Sequence, residues 1–175
     1  MKIIAFAGSN SSTSINKQLV TYASSLLNED QIEILDLDDY TIPTFDIDIE
    51  KAQGFSDEVK RFYHKLVEAN VLLISLAEHN ACITAVFKSY MDWCSRINSK
   101  FLEGKKIFVM STSPGGYGGK NSLEVGSKLI TKLGGEILVD FSLPKFNDNF
   151  VEGRITNQEL NEELVVKVNE FKNKL

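Results

Sequence analysis

The sequence predicts an α/β chain in three layers, a parallel sheet carrying helices on both faces. Two patterns lead there. Five short apolar, β-branched runs stand out: Ile3 to Ala7, Ile32 to Leu37, Val71 to Leu76, Ile107 to Met110 and Ile137 to Phe141. Most are continuous in hydrophobicity, as strands buried on both faces are. Between them lie segments whose apolar residues recur at helical spacing. Strand and helix alternate five times, and right-handed crossovers between such units point all the strands one way.

The first strand is followed by Leu19, Val20, Ala23, Leu26 and Leu27, which cover one side of a helix with 3.6 residues per turn. The second strand alternates between apolar and polar residues, so an edge position is expected. Phe55, Val59, Phe62, Leu66 and Val67 then form a second helical stripe. The helix after strand three carries Ile83, Val86, Phe87, Tyr90, Met91 and Ile97. The helix after strand four carries Leu123, Leu129, Ile130 and Leu133, and is expected to stop at Gly134 and Gly135, residues that take the left-handed conformation of a helix C-cap. The last helix is expected to begin at Thr156, with Glu159 completing a capping box, and to run through Leu160, Leu164, Val168 and Phe171. Two long loops remain, Asp38 to Gln53 and Pro144 to Arg154.

A chain of 175 residues is long enough for one domain with a full core, here residues 1–175, and shows no internal repeat or composition break. Its 43% apolar and 25% charged residues exclude disordered, collagen-like and disulfide-scaffold classes. Nineteen Lys and Arg against 24 Asp and Glu give a net charge of −5, without general attraction for nucleic acid or anionic lipid. No nucleic-acid or membrane partner is expected. Two cysteines and two histidines are too few for a recognisable zinc cluster, so no metal is expected. Without a signal-peptide or membrane-spanning pattern, a cytoplasmic location with reduced thiols is expected.

Ligands of such sheets bind beyond the carboxyl ends of the strands, where the strand order reverses. Three loops there carry candidate chemistry. After strand one, Gly8-Ser9-Asn10-Ser11-Ser12-Thr13-Ser14-Ile15-Asn16 opens straight into a helix. Hydroxyls and unpaired backbone N–H groups at a helix N-terminus favour a phosphate, although a single capping residue would use the same amino acids. After strand three comes Ala77-Glu78-His79-Asn80-Ala81-Cys82-Ile83-Thr84, either a surface turn or a polar edge for a flat heterocycle. After strand four, Ser113-Pro114-Gly115-Gly116-Tyr117-Gly118-Gly119 holds four glycines in five residues, so its backbone can lie against a ligand.

The first loop lacks both the three glycines of a dinucleotide fingerprint and the Gly-Lys-Ser/Thr ending of a P-loop, which removes resident NAD and nucleotide hydrolysis. Phospho-receiver chemistry needs acids at the ends of strands one and three, where Gly8-Ser9 and Leu76-Ala77 stand. Cys82 and Cys94 are too far apart for a redox pair and are expected to be packing thiols. Asp36, Asp38 and Asp39 are expected at a solvated strand end.

Together the loops resemble the NADPH-dependent FMN reductase family, flavodoxin-like quinone, azo-dye and chromate reductases, over roughly residues 1–140 on motif spacing. Gly8, Ser9, Ser14 and Asn16 match the family's first motif. Asn80, Lys88, Asp92 and Trp93 match the second, and Ser113, Pro114, Gly115, Gly118 and Gly119 the third. The resemblance implies a flavodoxin-like three-layer sandwich with strand order 2-1-3-4-5. It implies that Ser9, Ser14 and Asn16 hold the FMN phosphate, with Ser11, Ile15 and the loop N–H groups beside them. Glu78, His79 and Asn80 would lie against the isoalloxazine and ribityl chain, and the N–H groups of Asn80, Ala81 and Cys82 would stabilise reduced flavin. Ser113, Pro114, Gly115, Gly116 and Gly118 would close the other side.

The departures are specific. Ser11 replaces the family's phosphate-binding Arg, leaving Lys17 as a cation within reach; His79 replaces a Tyr, Ala77 a Pro, Cys82 a Ser, and Thr84-Ala85 a Pro-Gly. The implied activity is an NAD(P)H-dependent, FMN-containing oxidoreductase in which NADPH or NADH is co-substrate and a small-molecule electron acceptor completes the cycle. No catalytic side chain is implied. The alternatives are a flavodoxin-type electron carrier without its own NAD(P)H oxidation, or a non-catalytic flavodoxin-like protein. Relatives also imply a homodimer or homotetramer, with the stretch from Leu37 to Asp48 reaching a neighbouring subunit; Tyr90, Trp93 and Phe101 are candidate apolar contacts that could equally be core.

Overall fold

The computed structural model describes residues 1–27 and 32–175. Five strands, β1 (Ile3–Ala7), β2 (Ile32–Leu35), β3 (Val71–Leu76), β6 (Lys106–Thr112) and β7 (Glu136–Leu143), form one parallel sheet in the order β2-β1-β3-β6-β7. Counted along the chain as sheet strands, this is the expected 2-1-3-4-5. The central strands β1 and β3 are buried throughout, while β2 and β7 lie at the edges and are only partly buried. Two short antiparallel hairpins stand apart from the sheet: β4 (Glu78–His79) with β5 (Cys82–Ile83), and β8 (Phe150–Val151) with β9 (Arg154–Ile155).

Alternation along the strands divides the core. Ile3 and Ala5 of β1 face α1 (Ile15–Leu26) and α7 (Gln158–Lys174), packing with Leu19, Val20, Leu164 and Phe171. Ile4 and Phe6 face the other way, toward α3 (Asp57–Glu68), α4 (Ala85–Ile97) and α5 (Lys120–Lys132), among Phe62, Phe87 and Ile130. Each such large side chain contributes about 1.5–3 kcal/mol through removal from water. Phe6 meets Phe62 edge to face at 5.9 Å, which adds a directional contact to that burial.

Several boundaries differ from the sequence reading. The second strand ends at Leu35, and Leu37–Asp39 form a 3-10 turn capped by Asp36, whose carboxylate accepts from Asp38 N. Phe55 precedes α3, and Ile83 belongs to β5 rather than to α4, because Thr84 caps that helix. The last helix is capped by Asn157, whose Oδ1 accepts from Leu160 N at 3.1 Å; Thr156 donates its hydroxyl to Asn149 O instead. Neither long loop is unstructured. The first contains α2 (Ile47–Gln53), started by Asp46 and ended by Gly54 at φ +70°; the second contains α6 (Phe146–Asn149) and the β8–β9 hairpin.

Tyr90, Trp93 and Phe101 are core residues, not surface contacts. The Tyr90 hydroxyl donates to Tyr40 O at 2.6 Å and the Trp93 indole to Pro43 O at 2.9 Å. The segment from Leu37 to Asp48, expected to reach toward another subunit, is thereby fastened to α4 of its own chain.

Candidate functional site

Because the sheet is parallel, the carboxyl ends of β1, β3 and β6 share one edge, and the strand order reverses between β1 and β3. The loops leaving these ends surround a cleft of about 230 Å³. This is where an open α/β sheet places its ligand.

The first wall begins at Gly8. Its N–H donates to Ser75 O at 2.8 Å, and its carbonyl accepts from the Thr84 hydroxyl at 2.8 Å. A Cβ here would stand 3.2 Å from the Phe87 ring, so the close approach of β1 to α4 calls for glycine. The chain then turns through hydroxyls: Ser9 Oγ accepts from Ser11 N at 3.2 Å, Ser11 Oγ accepts from Thr13 N at 3.3 Å, and Ser14 Oγ caps α1 by accepting from Lys17 N at 3.2 Å. Ser11 and Thr13 are exposed while Ser14 is buried. The N–H groups of Ile15 and Asn16, in the first turn of α1, have no intrahelical carbonyl to bond. Hydroxyls, unpaired amides and the positive end of a helix dipole converge here, a donor set suited to a phosphate.

Asn16 has a different place from the one expected of it. Its side chain is buried beneath the cleft, with Oδ1 accepting from Ser75 Oγ at 2.8 Å and Thr112 N at 3.1 Å, and Nδ2 donating to Thr112 O at 3.1 Å. It borders the cleft but ties α1 to β3 and β6, and its amide is already engaged. Lys17 also points elsewhere: its ammonium pairs with Asp36 at the end of β2. Burial pushes the Asp36 carboxyl up, but the bonds from Lys17 and Asp38 N outweigh it and hold the carboxyl below its ordinary value.

The second wall is the β4–β5 hairpin. His79 and Cys82 pair across it, and the turn residues Asn80 and Ala81 sit at φ +51° and +60°, the arrangement of a type I′ turn. For Ala81 the left-handed conformation costs about 1–2 kcal/mol. Glu78 and His79 line the cleft, whereas Asn80, Ala81 and Cys82 are exposed at the tip of the hairpin and are not among the cleft's lining residues. The Glu78 carboxylate faces α5, accepting from Ser122 N at 3.0 Å and Asn121 Nδ2 at 3.3 Å. The N-cap of α5 is Gly119, which has no side chain to offer, so Glu78 supplies the cap from another element. Cys82 is exposed, which corrects its reading as a packing thiol; Cys94 is buried, and burial pushes its thiol far up.

The third wall is the glycine-rich loop. Ser113 and Pro114 line the cleft, while Gly115 and Gly116 are exposed and Gly118 is buried. Gly118 lies at φ +66°, its carbonyl accepts from Ser111 Oγ at 2.8 Å and Ser142 Oγ at 3.0 Å, and a Cβ would meet Ser142 Oγ at 2.4 Å. Lys145 N and Phe146 N bond to Gly115 O and Ser113 O, so the loop is held against the segment after β7. Thr13, Ala77 and Thr112 also line the cleft. Thr13 was within the hydroxyl run, whereas Ala77 and Thr112 carry no signal beyond their place at strand ends. No three His, Cys, Asp or Glu side chains gather into a metal site among the described residues.

The comparisons agree with this architecture. A curated NADPH:quinone oxidoreductase of Arabidopsis thaliana is 30% identical over 126 residues, covering 70% of this chain and 62% of that protein. A curated NAD(P)H-dependent FMN reductase of Pseudomonas aeruginosa is 30% identical over 119 residues, covering 67% of this chain and 63% of that one. The matches thus span less than two thirds of these relatives' own lengths. In fold, the chain is similar to FerB, a flavoenzyme NAD(P)H:(acceptor) oxidoreductase from Paracoccus denitrificans, with a TM-score of 0.78 at 20% identity over 99% of this chain and 96% of that one. The family model for NADPH-dependent FMN reductase matches residues 1–148, the stretch that builds all three walls of the cleft, and the chain belongs to that family.

Proposed function

We propose that this protein is an NAD(P)H-dependent, FMN-containing oxidoreductase acting on a small-molecule acceptor such as a quinone, an azo compound or free flavin. The observation that carries this is the meeting of a hydroxyl- and amide-lined helix N-terminus with Glu78 and His79 of the hairpin around one cleft. The donor chemistry fits a flavin mononucleotide. In this reading Ser9, Ser11, Ser14 and the N–H groups of Ile15 and Asn16 hold the phosphate. Glu78, His79, Asn80, Ala81 and Cys82 lie along the ring and ribityl chain, and Ser113, Pro114, Gly115, Gly116 and Gly118 form the opposite side.

FMN bound there supplies the hydride-accepting ring between NADPH or NADH and the acceptor. The chain's own residues orient and polarise. The N–H groups of Asn80 and Ala81 offer fixed dipoles where negative charge grows on reduction, and the type I′ turn, whose closing bond takes up the Cys82 N–H, fixes their direction before any ligand arrives. The open rim beside His79 leaves a face for the nicotinamide and then for the acceptor. No side chain need act as nucleophile, which accords with a cleft containing one His and no Cys in its lining.

We further infer a homodimer or homotetramer in the cytoplasm, without nucleic-acid or membrane partners. Family kinship supports the assembly, the net charge of −5 speaks against nucleic acid, and no described helix is long and apolar enough to cross a membrane. The deciding experiment adds FMN to the purified protein, records the visible spectrum, and follows NADPH and NADH consumption with a quinone. Perturbation of the flavin bands with turnover above that of free FMN is expected. Bound flavin without such turnover would make the protein an electron carrier, and no flavin binding at all would overturn the reading.

A further inference from the structure

Among the described residues, the cleft lining contains no Lys or Arg, and its acidic side chain is Glu78. A phosphate brings about two negative charges at neutral pH. Hydroxyls and amides alone would leave most of that charge without a counter-charge.

One cation stands next to the phosphate end. Lys17 lies in the first turn of α1, with its N–H already on Ser14 Oγ. Thr13 and Ser14 line both the cleft and a neighbouring hollow of about 500 Å³ that Lys17 borders, so one layer of loop separates the Lys17 stem from the cleft. Its ammonium is held by Asp36 from the end of β2. Neither partner is locked away from water: their side chains are 38% and 21% exposed. Asp36 also keeps a bond of its own, from Asp38 N to Oδ1 at 3.1 Å, so releasing Lys17 does not leave a bare buried carboxylate.

We propose that Lys17 is the phosphate's counter-charge, held in reserve by Asp36, and that it exchanges the Asp36 carboxylate for the phosphate when a phosphorylated flavin binds. This rests on the flavin-binding reading above. Lys17 would then set the preference for phosphorylated over unphosphorylated flavin, and Asp36 would oppose that preference, because each bound phosphate must win the lysine from an internal partner. A permanently free arginine carries no such opposing term.

The test measures dissociation constants for FMN and for riboflavin by flavin fluorescence quenching, in the unaltered protein and in Lys17→Gln, Lys17→Arg and Asp36→Asn, with a thermal unfolding curve for each. Lys17→Gln is expected to weaken FMN about tenfold and riboflavin less than about twofold, since a charge-assisted bond is at stake in one ligand only. Lys17→Arg should retain the FMN preference. Asp36→Asn should tighten FMN several-fold with riboflavin unchanged. If the ratio of the two constants is the same in Lys17→Gln as in the unaltered protein, or if Asp36→Asn weakens FMN, the exchange does not occur. An unaltered protein that binds neither flavin overturns the functional reading itself and the exchange with it. Should Lys17→Gln fail to fold, the Asp36→Asn ratio decides alone.

Discussion

The side-chain amide of Asn16 brackets the backbone of Thr112, donating to its carbonyl and accepting from its N–H, both at 3.1 Å. A helix residue thus completes the hydrogen bonding of a strand end, in the way a further strand would. Ser75 Oγ adds a third bond from β3. One buried side chain therefore sets the distance between the hydroxyl-rich loop at the start of α1 and the two neighbouring strand ends.

Replacing Asn16 should cost more than the loss of one ordinary contact. Asn16→Ala leaves the buried N–H of Thr112 without its partner, a cost of about 1–3 kcal/mol. Asn16→Asp is expected to be worse, because a carboxylate oxygen would face the Thr112 carbonyl where Nδ2 now donates. Urea denaturation midpoints should fall in the order Asn, Ala, Asp. An Asp variant as stable as the unaltered protein would show that the bracket carries no energy.

Glu78 joins two walls of the cleft, and its removal should be felt in α5. Glu78→Ala takes the acceptor from Ser122 N and leaves a helix whose N-cap is glycine with no side-chain substitute, at a cost of about 1 kcal/mol. Glu78→Gln keeps an acceptor oxygen but loses the charge that favours a helix N-terminus, so an intermediate stability is expected. Equal unfolding midpoints for the two variants would mean that the dipole contribution is negligible.

The sheet was legible because buried parallel strands leave continuous apolar runs, and α1, α3, α4, α5 and α7 because each shows one face to the core. The rest carries other signals. No residue of α2 is buried, so it has no apolar stripe, and only Asp46 and Gly54 mark its ends. Ile83 fitted the helical spacing yet packs from a two-residue strand, since an isolated apolar residue does not reveal its element. In the site, hydroxyl and glycine runs located the walls. They could not show that Asn16 turns inward to Thr112, that Glu78 serves α5, or that Lys17 is taken by Asp36, because each depends on a partner from 19 to 96 residues away.

Two glycines share a positive φ but not their surroundings. Gly54 lies at φ +70° with nothing within 4 Å of a built Cβ, and Gly118 at φ +66° with Ser142 Oγ at 2.4 Å and Pro144 N at 3.0 Å. Gly54 has ψ −149°, outside the left-handed helical region and in backbone that glycine alone adopts freely, so Gly54→Ala should cost about 1–3 kcal/mol through strain without any collision. Gly118→Ala brings a collision with Ser142 and the backbone at Pro144, so a loss of stability is expected together with weaker FMN binding as the loop shifts, whereas Gly54→Ala should leave FMN binding unchanged. Unaltered thermal unfolding and FMN binding in Gly118→Ala would show that the loop yields freely.

Acid should remove the Asp36 contribution. Its carboxyl is held below the ordinary value of 3.8, so the folded state binds that proton less readily than the unfolded state does. The resulting stability is fully present above the unfolded value and is lost as pH falls through the folded one. The stability difference between the unaltered protein and Asp36→Asn should therefore shrink between about pH 5 and pH 2. A difference that grows on acidification would reverse the sign of this linkage.

The two cysteines allow the hairpin's place at the ligand to be read directly. A thiol reacts as its thiolate, so reactivity follows exposure and ease of ionisation. Cys94 is buried and burial pushes its thiol far up, whereas Cys82 is exposed at the β4–β5 rim. Native protein should thus react rapidly at Cys82 with an aromatic disulfide reagent, and at Cys94 only after denaturation. If the flavin ring lies against the Asn80 to Cys82 turn, saturating FMN should slow labelling of Cys82 by tenfold or so, by the area it covers. Riboflavin at saturation should protect equally, since it carries the same ring. Protection by FMN but not by riboflavin would place the phosphate, and not the ring, at the hairpin, and labelling indifferent to both would remove the second wall from the site.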